Sequence, residues 1–552
     1  MIRIPYIPCP LAKLMIDQHR DKSNSPTIFL ETFGCQMNVL DSELVTSQLR
    51  GLGYRFIDDW QEADVVLYNT CSVRQQAENK VYSRIGLLGL HKQQHPHVVL
   101  GVIGCMAERD GEDMPRRYPQ IDLLCGPGEL DKLPLLIDNT LRTSLASLES
   151  GPRHKRVQAA LSGNNHRRTA TLSAAQDQLE TLDLARSFSP DDHHGSAYVR
   201  ITRGCNKFCT YCVVPNTRGA EVHRPPENIL EECKRLVDTG IREITLLGQT
   251  VNHYRFDHSA AVAINGIQQP QIGAHVSDNN PVPLASDHIT TFAELLARIH
   301  DELPGLPRLR FVTSFPRDFG DDILQVMRDR PRICRYLHLP VQSASNRILK
   351  LMNRGYTIEQ YEDLLARIRE QLPDALVASD IICGFPTETE SEHRSTCDLL
   401  HRSHFKNCFI FKYSPRPGTA AFDRLDDDVP HEVKRRRNNE LLAIQSQISA
   451  DIHARYVGTT QHVFVESISE KARRSTNTAD PAVSLTWEQP QTITQLAGRT
   501  SGDLIVMFDA DPSLVGDVVD VRIKRSAPLA LFGKLATVST KTLQEPQHAP
   551  DF

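Results

Sequence analysis

The chain of 552 residues has no run of about 18 apolar residues, which excludes a conventional membrane-spanning helix. Residues 1–25 hold Cys9, several prolines and two short charged patches, but no apolar core with a small-residue cleavage site. They read as an N-terminal extension and not as a secretory signal. The 13 cysteines are odd in number and widely scattered, unlike the dense disulfide frame of a small secreted domain. A reducing, cytoplasmic setting with thiols available to metals is expected instead. A large excess of positive charge is missing too: 63 Lys and Arg stand against 68 Asp and Glu, for a net charge of −5. The whole molecule is therefore no electrostatic nucleic-acid binder, and any RNA contact must be a local patch. What remains, 40% hydrophobic and 24% charged, is ordinary globular composition. The length allows roughly three or four domains.

Against that background one short run stands out. Cys205, Cys209 and Cys212 are separated by three and then two residues. A turn that gathers three thiolates can hold three corners of a cubane iron–sulfur cluster and leave the fourth iron without a protein ligand. Such an iron can chelate the amino and carboxylate groups of S-adenosylmethionine, whose reductive cleavage gives a 5′-deoxyadenosyl radical. A bacterial ferredoxin run is spaced differently and ends in Cys-Pro, whereas Val213, Val214 and Pro215 follow here. Zinc, which wants four ligands and usually two pairs, is the competing reading, as is an inert thiol cluster.

Upstream, residues 27–33, 64–69 and 98–103 are apolar strand candidates that end at Cys35, Cys71 and Cys105, with helical segments between them. Continuous apolar strands alternating with helices predict a parallel sheet covered on both faces, with ligands at the carboxyl edge. A single buried cysteine is commonly just a small hydrophobe. Three in the same position after three strands point to convergent thiolates. Cys125, closing residues 121–124, is a further candidate by position alone. From 143 to 194 Ser, Gly, Gln, Asn, His and Arg dominate without apolar periodicity, which predicts an interdomain linker. Its cationic residues 153–156 are a solvated run or an RNA contact.

After Cys212, strand and helix patterns alternate. Strand candidates at 198–201, 243–247, 309–313, 335–339, 375–382 and 407–411 predict an open (β/α) barrel with its chemistry at the strand C-termini. There Tyr211 is either an adenine neighbour or a core aromatic. Gly248 and Gln249 allow close backbone approach to a ligand, and Asp380 can accept from ribose hydroxyls. His338 and Gln342 lie at another strand end; a histidine in such a place is more often structural than catalytic. Gly384 either faces the ligand or, with Pro386, shapes a turn. Residues 257–288 form an aperiodic insertion, expected as a surface loop.

Residues 433–456 predict a helix that opens with four consecutive cations, Lys434, Arg435, Arg436 and Arg437, for phosphate contact or for plain solvation. Short alternating segments at 461–466, 503–508 and 516–523 predict a small β-barrel, of a kind that binds RNA through its faces and loops, or else a structural cap. Residues 471–494 look like a loop within it.

The surroundings of the two triads resemble the radical SAM methylthiotransferases: Thr32 to Asn38 through Gly34 and Cys35, Asn69 to Arg74 through Cys71, Gly104–Cys105, and the Cys205/Cys209/Cys212 run. The resemblance is closest to the branch that acts on N6-dimethylallyladenosine in tRNA. It covers about 26–142 and 197–524, with the N-terminal extension, the linker and the two loops as departures. It implies an α/β architecture: a methylthiotransferase N-terminal domain at 26–142 with a parallel, flavodoxin-like sheet; a radical SAM core at 195–433, a partial (β/α)6 barrel; a basic linking helix at 434–456; an all-β TRAM barrel at 457–525; and a tail at 526–552. It further implies two [4Fe-4S] clusters. Cys205, Cys209 and Cys212 would hold the SAM-binding one, and Cys35, Cys71 and Cys105 an auxiliary one that carries the sulfur to be delivered. Cys125 is then a core residue. Tyr211, Gly248, Gln249, His338, Gln342, Asp380 and Gly384 are the candidates for contacting S-adenosylmethionine, used twice per turnover. The implied partners are a tRNA with a prenylated adenosine beside the anticodon and a flavodoxin- or ferredoxin-type electron donor; a monomer away from the membrane is expected. Rival readings are methylthiolation of a ribosomal-protein aspartate, methylthiolation of threonylcarbamoyl-adenosine in tRNA, and a non-catalytic iron–sulfur RNA-binding or electron-transfer protein. The protein-modifying relatives resemble Gly-Cys-Pro-Lys-Asn at the first cysteine, where this chain has Gly34, Cys35, Gln36, Met37 and Asn38.

Overall fold

A computed structural model describes residues 25–72, 75–111, 113–150, 157–162, 177–187, 194–273, 288–469 and 494–536. The N-terminal extension up to residue 24, the cationic run 153–156 and most of the loop 471–494 lie outside the described residues.

Six strands form the first sheet: β1 (Thr27–Thr32), β2 (Arg55–Phe56), β3 (Val65–Thr70), β4 (Val99–Gly104), β5 (Leu123–Cys125) and β6 (Gln158–Ala160). Their order is β2-β1-β3-β4-β5-β6 and every pair is parallel. β3 and β4 are buried at every residue, as continuous apolar runs require when helices cover both faces. On one face Val81, Ile85 and Leu88 of the helix Gln75–Gln94 pack on Val66, Tyr68, Leu100 and Val102. On the other, Val45 and Leu49 of the helix Gln36–Gly51 and Leu133 and Ile137 of the helix Leu133–Ser150 cover Val65, Leu67 and Val99. From β1 the chain moves outward to β2 and returns on the far side of β1 to β3. This reversal makes the carboxyl ends of β1 and β3 a switch point, the place where open α/β sheets bind ligands.

The expected linker, 143–194, contains more structure than its composition suggests. The helix Leu133–Ser150 runs through its start, β6 completes the sheet, and the helix Gln178–Ala185 buries Glu180 and Asp183. β6 itself has no large apolar residue; its place rests on backbone pairing and on the flanking Val157 and Leu161. The short helix is anchored by ion pairs, which leave no hydrophobic period to detect.

The central region carries β7 (Ser196–Arg200), β8 (Glu243–Leu247) and β9 (Arg308–Phe311) in one parallel sheet, with β8 in the middle. β10 (Tyr336–His338), β11 (Leu376–Cys383) and β12 (Asn407–Lys412) form a second parallel sheet, with β11 in the middle. An isolated parallel bridge between Leu309 and Ile333 joins the two, and the largest apolar core of the described residues lies under both. The 257–288 segment is less loop-like than expected. Ala263–Ile264 pairs with Ile267–Gln268, and Gln271–Ile272 adds to Val222–His223; 274–287 lie outside the described residues.

The chain then forms the helix His431–Ala454 and a closed barrel of β13 (Thr460–Ile468), β14 (Thr494–Arg499), β15 (Ile505–Ala510), β16 (Val518–Ala527) and β17 (Ala530–Leu535), in the order β13-β14-β15-β17-β16. The expected limit at residue 525 falls short, because β17 pairs with both β15 and β16 and closes the barrel. β14 and β17 escape a hydrophobic-period reading because Gly498 and Gly533 occupy inward room that an apolar side chain would otherwise mark. Between β14 and β15, Asp503 accepts from Arg310 and Lys406, each at 2.6 Å, while Arg308 donates to Thr500 O at 3.0 Å. The barrel is thereby seated at the amino-terminal start of β9, the end opposite the candidate residues.

The four-cation run at the start of the linking helix is committed within the protein. Lys434 pairs with Asp427, Arg435 with Glu432, Arg436 with Glu390 and Arg437 with Glu388. For Lys434 and Arg437 the phosphate-contact reading is corrected, because both are buried and their charge is spent on carboxylates; Arg435 and Arg436 are exposed and make surface pairs only. Among the described residues no helix is long and apolar enough to cross a membrane.

Candidate active site

The first triad is built at the switch point. Cys35 follows β1 and caps the helix Gln36–Gly51, Cys71 follows β3, and Cys105 opens the helix Cys105–Asp110 after β4. Two amides lock the loops against each other. Asn38 Nδ2 donates to Asn69 Oδ1 at 3.0 Å and to Thr70 O at 2.8 Å, and Asn69 Nδ2 donates back to Asn38 O at 2.8 Å. Both asparagines are completely buried, so these bonds are costly to break. The motif around Cys35 and Cys71 thus holds the loops in register as well as supplying thiols, a role residue type alone did not reveal. A bond from the Cys71 thiol and the charge of Arg218 hold the Cys35 thiol down at about 6 against the effect of burial. Burial pushes the Cys105 thiol up, although the charge of Arg218 pulls it down. Cys125 belongs to the apolar layer beneath; its thiol donates to Glu129 O at 3.2 Å, and burial holds the thiol far above its ordinary range.

The second triad lies on the loop after β7. Cys212 N donates to Cys209 O at 3.0 Å, and Cys205 N to Gly219 O at 3.2 Å. The loop is pinned from outside by Thr210 Oγ1, which donates to Leu351 O at 2.8 Å, and by Asn353 Nδ2, which donates to Phe208 O at 3.0 Å. Burial raises the Cys205 thiol strongly and the Cys212 thiol to about 12, so in the metal-free chain both are protonated at neutral pH. Arg354 lies with Nη1 3.4 Å from Cys209 Sγ and donates through Nη2 to Pro340 O at 2.7 Å. Nothing in the sequence singled out Arg354. The charge of Cys105 reaches Cys212, and the helix Cys105–Asp110 packs on the helix Val214–Thr217, so the two triads face one interface.

Both donor sets are all-thiol, which selects zinc, cuprous or iron–sulfur chemistry. Among the described residues the groups compact enough to chelate one ion are Glu221–His223–His253 and His393–Cys397–Glu440, and neither triad is one of them. A tetrahedral zinc with bonds of about 2.3 Å needs sulfurs roughly 3.8 Å apart. The wider triads fit a polynuclear cluster better than a single ion. The Glu221 group is compact, yet His223 Nδ1 accepts from Arg255 N at 2.8 Å, which puts the ring proton on Nε2, the atom that faces Glu221. That tautomer cannot ligate a metal there.

The remaining candidates gather at strand ends with different local duties. Tyr211 packs beside Ile348, Met352, Phe385 and Tyr413, with its hydroxyl 3.5 Å from Arg354 Nη1. The room beside Gly248 is taken by the protein: a Cβ there would lie 2.2 Å from Thr202 Oγ1. Gln249 follows, half-buried. His338 Nε2 is 2.9 Å from Asp380 Oδ1, which ties β10 to β11. Gln342 has a positive φ of 73° and a buried Oε1 that meets no partner among the described residues, and its N–H donates to Asp380 O. Gly384 N donates to Glu388 Oε2 at 2.6 Å, the carboxylate that also receives Arg437.

Residues 27–126 match the uncharacterized protein family UPF0004 and residues 199–400 the radical SAM superfamily, each block spanning one triad. A tRNA-2-methylthio-N(6)-dimethylallyladenosine synthase of Rhodopirellula baltica is 41% identical over 96% of this chain and 99% of its own. The chain belongs to the tRNA-2-methylthio-N(6)-dimethylallyladenosine synthase family. Other synthases of that name are 38% identical in Bacteroides fragilis, over 92% of this chain and 95% of theirs, and 36% identical in Aquifex aeolicus, over 93% and 99%. Among solved structures, the radical S-adenosylmethionine methyltransferase TsrM of Kitasatospora setae aligns with a TM-score of 0.44 at 15% identity, over 79% of this chain and 80% of its own. In this synthase the two matched blocks meet where the helix Gln36–Gly51 packs Met37, Leu40 and Leu44 on Leu247, at the end of β8 beside Gly248.

Proposed function

We propose that this protein adds a methylthio group to C2 of N6-dimethylallyladenosine at position 37 of tRNA. The observation that carries the reading is the convergence of two all-cysteine triads, from two family blocks, on one interface. Cys205, Cys209 and Cys212 hold the [4Fe-4S] cluster that binds S-adenosylmethionine, and Cys35, Cys71 and Cys105 hold a second one. When bound, these clusters supply the electron for cleaving S-adenosylmethionine and the sulfur to be transferred.

The residues of the chain bind, orient and exclude water. Tyr211, Gln249 and Gln342 frame the S-adenosylmethionine site, Gly248 and Gly384 allow close packing against Thr202 and Lys434 behind it, and the His338–Asp380 pair fixes the rim where β10 and β11 end. Arg354 supplies a buried positive charge at Cys209, where thiolate charge must be held in a poorly solvated loop. The two central sheets form a partial (β/α)6 barrel, and the closed C-terminal barrel is a TRAM domain. Its outward positions Arg522, Lys524, Arg525 and Lys534 are exposed on adjacent β16 and β17, a local basic surface suited to tRNA phosphates on a chain of net negative charge. A flavodoxin- or ferredoxin-type protein supplies electrons, and the enzyme works in the cytoplasm as a monomer.

The deciding experiment is mass spectrometry of tRNA nucleosides from a strain lacking this gene, with and without complementation. Loss of the methylthio group from prenylated adenosine, restored by the gene, is the expected result. An unchanged tRNA profile with an altered ribosomal-protein mass would overturn it.

A further inference from the structure

Arg218 belongs to the central domain, six residues beyond Cys212, yet its guanidinium reaches the helix that starts at the other triad. Nη2 donates to Asp41 Oδ2 at 2.7 Å, and the side chains are only 6% and 1% exposed. Asp41 stands on the helix Gln36–Gly51, less than two turns after Cys35, so the pair crosses between the two family blocks. Arg218 caps the helix Val214–Thr217, which packs on the helix opened by Cys105, and its charge reaches the Cys105 and Cys35 thiols. Asp41 is shared with Arg200, whose Nη1 is 3.7 Å from its other oxygen; Arg200 is in turn bonded to Asp183 at 2.8 Å. Asp41 therefore fixes the fork of Arg218 against the helix that Cys35 caps.

A buried arginine beside a thiol triad, delivered by a domain that contributes no ligand to it, is expensive to maintain as packing alone. Its charge stands beside the triad, and hydrogen bonds and net charge at the sulfurs are two of the levers that set an iron–sulfur potential. We propose that Arg218, oriented by Asp41, is a positioning residue for the cluster held by Cys35, Cys71 and Cys105, donating to its sulfur and stabilising its reduced state. The inference rests on the reading of that triad as a cluster site. It also makes the loop bearing Cys205, Cys209 and Cys212 answerable for the charge at the second triad. If that loop shifts, the cation moves with it.

The test uses the full chain with Cys205, Cys209 and Cys212 replaced by alanine, reconstituted anaerobically with iron and sulfide so that one cluster remains. The midpoint potential is read by spectroscopically monitored redox titration in this parent and in its Arg218→Gln and Arg218→Lys derivatives. Removing the cation makes the more negative, reduced cluster less favourable, so Arg218→Gln is expected to lower the potential. The expected shift corresponds to about a tenfold change in the ratio of oxidised to reduced cluster, 59 mV for a one-electron couple. Arg218→Lys, which keeps the charge without the fork, should recover part of it. Should Arg218→Gln lose iron altogether, the comparison of parent with Arg218→Lys still decides. Equal potentials at equal iron content would overturn the role of Arg218. Failure of the parent to hold iron would instead overturn the cluster reading of this triad, and the proposal with it.

Discussion

Gly34 faces Cys71 so closely that a methyl group on its Cα would lie 2.2 Å from Cys71 Cβ and 2.9 Å from Sγ. Its φ of 117° is also one that side-chain-bearing residues avoid. The residue before the first thiol is thus glycine because the second thiol needs the space. Gly34→Ala is expected to push the loops after β1 and β3 apart and to cost about half of the iron taken up on reconstitution, since only the second triad remains able to hold a cluster. Iron and sulfide analysis checks this; full loading of the variant would contradict the geometry.

The two triads should separate genetically. Cys209→Ala is expected to abolish formation of 5′-deoxyadenosine from S-adenosylmethionine, because a ligand of the SAM-binding cluster is gone. Cys71→Ala should instead leave measurable deoxyadenosine while ending methylthiolation of tRNA. Both products are read by chromatography and mass spectrometry of anaerobic reactions. Deoxyadenosine at the parent level from Cys209→Ala would sink the assignment.

Arg224 is completely buried and donates to Glu180 at 2.8 Å and to Glu232 at 2.7 Å. Arg224→Met removes the cation and leaves both carboxylates in a dry interior. It is expected to destabilise the protein by about 3–5 kcal/mol. Urea unfolding of the metal-free chain measures it, and a loss below about 1 kcal/mol, the range of a surface pair, would show that the network is hydrated.

Burial pushes the Glu43 carboxyl up to about 7, more than the neighbouring Arg186 pulls it down, and Glu232 adds to the rise. Between the usual carboxylate range and pH 7 the unfolded chain releases this proton while the folded one keeps it, so this contribution to stability is full at low pH and fades as pH rises toward 7. The effect is on the order of 3 kcal/mol. Glu43→Gln should flatten the pH dependence of the apo-protein melting temperature between pH 5 and 7; an unaltered slope would place the linkage elsewhere.

Much of this was legible from residue order. The runs ending at Cys35, Cys71 and Cys105 announce buried strands because every residue of β3 and β4 is covered, and covered strands need unbroken apolar sequence. β6, β14 and β17 were not legible: glycine or alanine takes part of their inward positions, so single buried residues such as Leu496 and Leu531 stand without a period around them. The cations 434–437 illustrate the opposite error. A charge run tells nothing of its partners, and here Asp427 and Glu388 absorb its two buried members, Lys434 and Arg437.

Local order thus specified the thiols, their spacing and the strand ends that carry them, because these depend on chemistry and periodicity within a few residues. Tertiary structure alone chose the groups that meet the thiols. Arg218 reaches Asp41 across 177 positions and Arg354 reaches Cys209 across 145. Partners at such distances are selected by packing and by the high cost of an unpaired buried charge, neither of which leaves a local signature.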